Sequence, residues 1–243
     1  MLFLFLTGFT NGNVQKAETE AITDEQRSYF ESFLTENPES ELNEMIMIAL
    51  NDNKSTKQIN SELKVELTDN TNHSINLTGI NYADYLPVKG RLNAMEVAVF
   101  NSDPIKGVLA LTNASDSESR TISMYNGTFW GDNSDAYRHG TWNALMVHYV
   151  GEPYAKRFAD AHEMGASNYN PSNIDFDMDL RNNSIGRAIG RGQNWSSGCA
   201  NGACASYKIS QEIKSRVNNA YFYRFVINGQ QKSFLHRTDA KLK

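Results

Sequence analysis

Residues 135–149 read DAYRHGTWNALMVHY, and this stretch decides the fold because its polar and apolar residues recur at helical spacing. At about 100° per residue, Asp135, His139 and Asn143 lie on one face of a helix, beside Trp142. Ionisable and amide groups therefore share a stripe with a large aromatic ring. The pattern predicts a helix whose inner face carries groups capable of chemistry.

Two more helices follow this one. Gly151 ends the first helix, and Pro153 begins the next, which runs to about Glu163, since glycine is common just past a helix and proline in its first turn. A polar loop then leads to a helix from about Asp177 to Ile189. Each of the three helices carries polar residues on the side that we expect to face the core.

The N-terminal part predicts two short helices. Thr23 and Gln26 have the spacing of a capping box, so a helix should begin near Asp24. A second amphipathic stripe at i, i+3, i+4 and i+7 consists of Leu42, Met45, Ile46 and Ala49. Residues 51–88 are rich in Asn, Ser, Thr and Asp, so we interpret them as a linker or weak β segment with one strand over residues 63–67.

The remaining helices and one hairpin complete the fold. Helical patterns resume near Leu92, and Asp103-Pro104 can begin a further helix. A C-terminal helix precedes Asn228-Gly229, which is the strongest short signal for a β-hairpin turn. The chain is therefore predicted to be mainly α, a multi-helix orthogonal bundle with a small C-terminal β-hairpin and an N-terminal helical segment.

We divide the chain into five expected segments. They are a signal-peptide remnant at 1–21, an acidic helical segment at 22–52, a linker or weak β segment at 53–87, a helical core domain at 88–205, and a basic helix and hairpin at 206–243.

The N-terminus and the cysteines bear on location. The apolar run at residues 1–9 is too short to cross a bilayer, which takes about 20 residues. It is typical of the apolar part of an export signal, although the positive charge that usually precedes one is missing, and a merely apolar N-terminus is the alternative. Cys199 and Cys204 can form a local disulfide in an oxidising compartment, or remain two thiols. We expect an extracellular or envelope-associated protein.

Charge is distributed unevenly along the chain. The net charge is −5, yet residues 1–53 carry ten acids against two bases, whereas residues 180–243 carry eleven bases against two acids. Clustered cations attract polyanions, so the basic C-terminal region is a candidate surface for an anionic envelope polymer or lipid. A solvated face without a partner is the alternative. The sequence contains no specific nucleic-acid motif, and after the first residues no segment is long and apolar enough to be an integral membrane span.

The three helices supply the candidate site. Histidine beside a carboxylate can act as a general base, and such a set can also hold one divalent metal ion. The candidate catalytic residues are His139, His162, Glu163, Asn143 and Asn183, with the two amides as donors to a developing oxyanion. The candidate metal ligands are Asp135, His139, His162 and Asp179, and the candidate substrate-binding residues are Arg138, Trp142 and Arg187. The alternative is a hydrogen-bonded polar core that fixes helix register.

Three motifs in this order also resemble an uncharacterised bacterial domain family. They are DAYRHGTWNA at 135–144, ADAHE at 159–163 and DMDLRNNSIGR at 177–187, and the resemblance covers about residues 90–192. The family is associated with exported proteins of Gram-positive bacteria and with the C-terminal ends of polymorphic-toxin-like proteins. The resemblance implies which positions define the family, and it implies no activity.

Two functions follow as hypotheses. The first is an extracellular hydrolase that acts on a phosphodiester, ester or glycosidic bond in a lipid or cell-envelope substrate; an antibacterial toxin would be one instance. The second is a non-catalytic envelope-binding or interaction module with a structural polar core. They differ in whether the ionisable residues surround an open site or form a closed network.

Overall fold

The computed structural model describes residues 22–40, 42–64 and 92–240, together with the backbone of three short strands between residues 66 and 81. The expected signal segment at 1–21 lies outside the described residues. The helices of the described part are α1 Asp24–Glu36, α2 Asn43–Ala49, α3 Thr56–Glu62, α4 Ala94–Ser102, α5 Pro104–Tyr125, α6 Asn133–Val150, α7 Glu152–Met164, α8 Ile174–Gly190 and α9 Gly202–Asn218. The strands are β1 Glu66–Leu67, β2 Ile75–Leu77, β3 Ile80–Asn81, β4 Tyr223–Ile227 and β5 Gln230–Arg237.

The mainly helical prediction is confirmed, with one helix that we did not predict. Helix α3 lies where we expected a linker or strand. Ser55 and Gln58 form a capping box at its start, and Ile59 and Leu63 are buried on its inner side. Leu63 is the C-cap of α3, so the predicted strand over residues 63–67 is reduced to Glu66–Leu67. The polar composition of this segment concealed a helix that local capping supports.

Helix α1 packs into the core and covers one end of α6. Phe30 and Phe33 are buried, and the ring of Tyr29 stacks on Tyr149 with ring centroids 4.0 Å apart. The amide of Gly202, at the start of α9, donates to the Ser28 hydroxyl of α1 over 3.1 Å. The acidic N-terminal helix is thus joined to α6 and α9 by apolar and polar contacts.

Helices α6 and α8 approach each other closely because glycine lies at their contact. A Cβ added to Gly186 would lie 2.4 Å from the carbonyl oxygen of Gly140. One added to Gly190 would lie 2.6 Å from the carbonyl oxygen of Ala144. A larger residue at either position would meet the backbone of α6. This contact brings the inner faces of α6 and α8 within hydrogen-bonding distance.

The predicted hairpin is present and packs on α6 and α8. Strands β4 and β5 pair antiparallel around the turn at Asn228-Gly229. The side-chain amide of Asn182, on α8, both donates to the carbonyl and accepts from the amide of Tyr223, each over 2.9 Å. Phe222 and Phe225 are fully buried beneath the hairpin. Asn182 therefore anchors the start of β4.

Two further observations bear on the sequence predictions. None of the described helices has the length and apolar character needed to cross a membrane.

The sulfur atoms of Cys199 and Cys204, just before and within α9, lie at disulfide-bonding distance. A disulfide here closes a short loop between α8 and α9.

Candidate metal-binding and acid–base site

Two ladders of polar side chains face each other across the contact between α6 and α8. In each ladder the residues are spaced at i, i+4 and i+8, which places them on one helix face. The ladders consist of Asp135, His139 and Asn143 on α6 and of Asp179, Asn183 and Arg187 on α8, and all six residues are buried. Glu163, on α7, is also buried and closes one side. Helices α6, α7 and α8 therefore bring these seven residues together in one buried cluster.

One half of the cluster, which we call the acid group, consists of Asp135, His139 and Asp179. Their ligand atoms all lie within 4.8 Å of one another, so one cation can contact all three. The Nε2 atom of His139 lies 3.2 Å from Oδ1 of Asp179 and 3.6 Å from Oδ1 of Asp135. Despite this proximity, Oδ1 of Asp179 is buried without a hydrogen-bond partner. An oxygen that accepts no hydrogen bond from the protein is available to a proton or a cation.

Arg138 supplies positive charge to the acid group. One of its terminal nitrogens donates to Oδ1 of Asp135 over 2.7 Å and lies 2.9 Å from Nε2 of His139. The Arg138 side chain is 16% exposed, and its Nε lies 3.9 Å from the carboxylate of Glu118, which is 22% exposed. The acid group therefore comes nearest to solvent on the side of Arg138 and Glu118. Arg138 therefore pairs with a carboxylate of the acid group, Asp135.

The other half, which we call the amide relay, is hydrogen-bonded internally. Arg187 donates to Oδ1 of Asn143 over 2.9 Å, and the Asn143 amide nitrogen donates to Oδ1 of Asn183 over 2.6 Å. The Asn183 amide nitrogen in turn donates to Glu163 over 3.1 Å. Both asparagines thus use their amide groups within the protein. Their expected role as donors to an oxyanion would require these bonds to break.

The amide relay fixes the tautomer of His139. Because Arg187 only donates and a carboxylate such as Glu163 accepts, both asparagine amides have one consistent orientation. The Asn183 oxygen then faces Nδ1 of His139 at 3.1 Å, so Nδ1 carries the hydrogen and donates. Nε2 is left with its lone pair directed at Arg138 and the acid group. The relay presents a neutral imidazole nitrogen as an acceptor or ligand.

Burial drives the pKa values in the acid group apart. Burial, together with the nearby charge of Arg138, lowers the pKa of His139 to about 3. Burial, reinforced by the carboxylates of Glu163 and Asp135, raises the pKa of Asp179 well above its usual range. Burial also opposes ionisation of Asp135, but the charge of Arg138, the proximity of His139 and the hydrogen bonds from Gly131 and Arg138 together outweigh it and lower the Asp135 pKa. At neutral pH the group thus combines an ionised carboxylate, a neutral imidazole and a carboxyl that favours its protonated form.

His162 lies outside the acid group and has a partner of its own. Its Nδ1 lies 2.7 Å from Oε1 of Glu96, a buried residue of α4, and its ring stands edge-on to Trp142 at 5.2 Å. The other carboxylate oxygen of Glu96 accepts from the amide of Asn93 in a capping box. The structure thus brings together three of the four expected ligands and pairs the fourth with Glu96. Glu96 was not among the predicted site residues, because its spacing from Asn93 indicates only a helix cap and gives no sign of a partner on α7.

Two of the expected substrate-binding residues are buried. Trp142 is 2% exposed, and its indole nitrogen donates to the carbonyl of Ala110 over 3.1 Å. Arg187 is 7% exposed and directed at Asn143. Neither presents a surface for a substrate to contact, because both side chains are directed into the bundle. Arg138 is the most accessible of the three.

Comparison with known proteins identifies a family and no relative of known activity. A family model described as a domain of unknown function (DUF6973) matches residues 97–221, more than half of the chain. The match includes the acid group and the amide relay, and it extends beyond the motifs to α9. No curated protein and no solved structure matches the chain. The chain therefore belongs to the DUF6973 family, a domain family of unknown function.

Proposed function

We propose that Asp135, His139 and Asp179 bind one divalent metal ion and that this centre hydrolyses an ester or phosphodiester bond in an extracellular lipid or cell-envelope substrate. The observation that carries the proposal is the convergence of one imidazole and two carboxylates within 4.8 Å. Imidazole and carboxylate together suit Zn²⁺ and Mn²⁺. The extracellular location rests on the apolar N-terminal run and the cysteine pair.

The surroundings of the acid group support a metal ion. Histidines that bind metals usually donate their other ring nitrogen to an oxygen that fixes the tautomer, and Asn183 accepts from His139 in this way. The unpartnered Oδ1 of Asp179 would gain a partner in the metal ion. Binding of a cation would also favour the ionised form of Asp179, whose carboxyl otherwise favours its protonated form.

Arg138 competes with the metal ion in this proposal. Its guanidinium contacts both Asp135 and His139, so a metal ion would replace it in those contacts. The partly exposed side chain can turn outward toward Glu118. In that position its charge would lie beside the centre, where it can pair with an anionic phosphate oxygen of the substrate.

The chemistry would be that of a metal-activated water. A divalent ion lowers the pKa of bound water and polarises the substrate oxygen. In hydrolysis, the water oxygen bonds to phosphorus or to the acyl carbon, the bond to the leaving oxygen breaks, and that oxygen takes up the proton that the water releases. The chain's own residues hold the ion and orient the imidazole.

Metal analysis on matched variants tests the proposal. We expect about one Zn²⁺ or Mn²⁺ per chain in wild type, and loss of the ion in Asp179→Asn and His139→Ala. His148→Ala is the matched control, because His148 also lies on α6 and pairs with a carboxylate, Glu25, over 2.7 Å, but lies outside the acid group. Equal metal content in wild type, Asp179→Asn and His148→Ala would refute the ligand assignment.

Hydrolysis is tested on the same proteins. Bis(p-nitrophenyl) phosphate and a p-nitrophenyl ester report the two bond types, and we expect turnover by the metal-loaded wild type and the His148→Ala control alone. Metal binding without turnover of either compound, or of extracted envelope lipid, would keep the metal centre and refute the hydrolase.

The alternative is a non-catalytic module with a structural polar core, and the amide relay favours it. Asn143, Asn183 and Arg187 satisfy one another as a register-fixing core does. An envelope-binding role for the basic C-terminal region has less support, because Arg181 and Arg216 are each paired with an acid on their own helix. In this alternative the His139→Ala protein loses stability and no metal binds.

A further inference from the structure

A second candidate site, separate from the acid group, lies between the loop that joins α5 to α6 and the C-terminal hairpin. Residues 126–133 and the β4–β5 turn enclose a cavity of about 510 Å³. Its walls include five apolar or aromatic side chains: Met124, Tyr125, Phe129, Trp130 and Val226. Cavities of about 300 to 1,000 Å³ with mainly apolar walls are typical of small-molecule sites.

We propose that this cavity binds the alkyl chain or aromatic ring of an uncharged amphiphilic small molecule. Phe129 is 55% exposed and Trp130 is 53% exposed, so two adjacent large aromatic side chains stay in contact with water. Exposing large apolar groups side by side is unfavourable, and such patches commonly mark a binding surface. An apolar group in the cavity would cover both rings.

The charges at the cavity disfavour an anionic ligand. Arg224 lines the cavity and is buried, but its terminal nitrogen is paired with Asp239 over 2.6 Å. Asp132 lines the same cavity and carries the opposite charge. No net positive charge is therefore offered to an anionic head group. The exposed amides of Asn126 and Asn228 at the rim can instead hydrogen-bond to an uncharged polar group.

The walls are held in place before any ligand binds. The carbonyl of Gly131 accepts from the amides of Phe225 and Val226, each over 2.9 Å, which joins the loop to the hairpin. Trp130 stands edge-on to Phe225 with ring centroids 4.6 Å apart. Gly131 has a φ of +73°, and an added Cβ would lie 2.6 Å from the Phe225 ring, so glycine is required there. A preformed site loses little conformational entropy on binding.

This loop also contacts the acid group. The amide of Gly131 donates to Oδ2 of Asp135 over 2.8 Å. The ligand-binding proposal does not depend on that contact or on a metal ion. It requires only the apolar walls, and its failure can therefore be distinguished from the failure of the metal centre.

Fluorescence titration of the full chain with N-phenyl-1-naphthylamine, a neutral apolar probe, tests the proposal. We expect saturable binding of about one probe per chain. The double variant Phe129→Ser/Trp130→Ser should bind about tenfold more weakly or worse, because it removes two aromatic walls. Phe234→Ser is the matched control, since Phe234 is 63% exposed on the same hairpin but does not line the cavity. Non-saturable binding by wild type, or equal affinity in the double variant, would overturn the proposal.

Three further measurements guard against indirect effects. Trp130→Phe keeps an aromatic wall, so it should bind the probe with wild-type affinity while losing the probe-dependent change in tryptophan emission; Trp142 and Trp195 are buried elsewhere. An unchanged emission response in Trp130→Phe would contradict the assigned cavity. The Asp179→Asn protein should bind the probe as wild type does. Loss of probe binding in this variant would contradict the proposal that the cavity binds its ligand independently of the acid group. Tighter binding of an anionic naphthalene sulfonate would overturn the preference for a neutral ligand.

Discussion

His139 donates from Nδ1 to the side-chain oxygen of Asn183 over 3.1 Å, and this bond decides which imidazole nitrogen faces the acid group. The same amide donates to Glu163, so its orientation is set by a carboxylate on a third helix. One asparagine therefore couples α6, α7 and α8. Whether Nε2 can accept a proton or bind a metal ion therefore depends on Asn183, which contacts the opposite nitrogen of the imidazole.

Asn183→Asp tests this coupling. The substitution keeps the size of the side chain but replaces the donor to Glu163 with a second buried carboxylate, so we expect a loss of about 3 kcal/mol in the free energy of unfolding. Urea denaturation at neutral pH measures it. Asn170→Asp, at an exposed loop position, is the control and should change stability by less than about 0.5 kcal/mol. A similar small change in Asn183→Asp would show that the relay does not hold the cluster together.

Gly186→Ala tests the contact between the two ladders. The added methyl group would meet the Gly140 carbonyl at 2.4 Å, so α6 and α8 must separate, and we expect a loss of about 2 kcal/mol or more. Metal binding at the acid group should weaken as well, because Asp135 lies on α6 and Asp179 on α8, and separating the helices moves these two ligands apart. Ser184→Ala, exposed on the same helix, should be neutral. A Gly186→Ala protein as stable as wild type would contradict the close packing.

We expect His162 and His148 to contribute to the free energy of unfolding with opposite dependences on pH. Burial opposes protonation of His162, but the hydrogen bond to Glu96 and the charges of Glu96 and Glu163 together outweigh burial and raise the pKa of His162. Its protonation therefore stabilises the fold fully below the unfolded value of about 6.5, and this contribution is lost as pH rises through the folded pKa. Burial lowers the pKa of His148 despite Glu25, so its contribution is lost as pH falls below about 6.5.

Urea unfolding from pH 5 to 9 separates the two. The stability difference between wild type and His162→Gln should shrink as pH rises above about 6.5, whereas that between wild type and His148→Gln should grow as pH rises toward about 6.5. Parallel profiles for the two variants would contradict the assigned environments. The His148 side chain is only 10% exposed, because α1 covers it and Glu25 pairs with it.

The difference between the two histidines shows how far sequence reasoning extends. Periodicity within α6 placed Asp135 and His139 on one inner face, because that relationship is local and set by 3.6 residues per turn. The packing of α1 over His148 and the reach of Glu96 to His162 are tertiary contacts, the second across 66 residues. Helical periodicity gives the face of a residue but not the element that covers it.

The split of the cluster into an acid group and an amide relay was likewise beyond the sequence. The residues of both halves lie on the same faces of α6 and α8 at a spacing of four, so periodicity does not separate them. They differ because Arg187 lies opposite Asn143, whereas no described donor reaches Oδ1 of Asp179. That difference depends on the offset between α6 and α8, which Gly186 and Gly190 set through backbone contact.

Arg138→Met tests whether Arg138 and a metal ion occupy the acid group in competition. The substitution removes the cation that contacts Asp135 and His139, so in the presence of a chelator we expect a loss of about 3 kcal/mol in unfolding free energy from the unpaired buried carboxylate. Zn²⁺ or Mn²⁺ should then raise the Tm of Arg138→Met by more than it raises that of wild type, because a ligand that binds only the folded state stabilises it.

The control for this prediction is Arg181→Met, which removes an arginine of α8 whose pair with Asp177 is half exposed. Exposed pairs contribute little, so the Tm of this variant should match that of wild type with and without metal. A metal-induced rise in Tm that is the same in all three proteins would place the ion elsewhere. An Arg138→Met protein that is destabilised and gains nothing from either metal would assign Arg138 to a structural core, because the carboxylates would then require the guanidinium itself and not any cation.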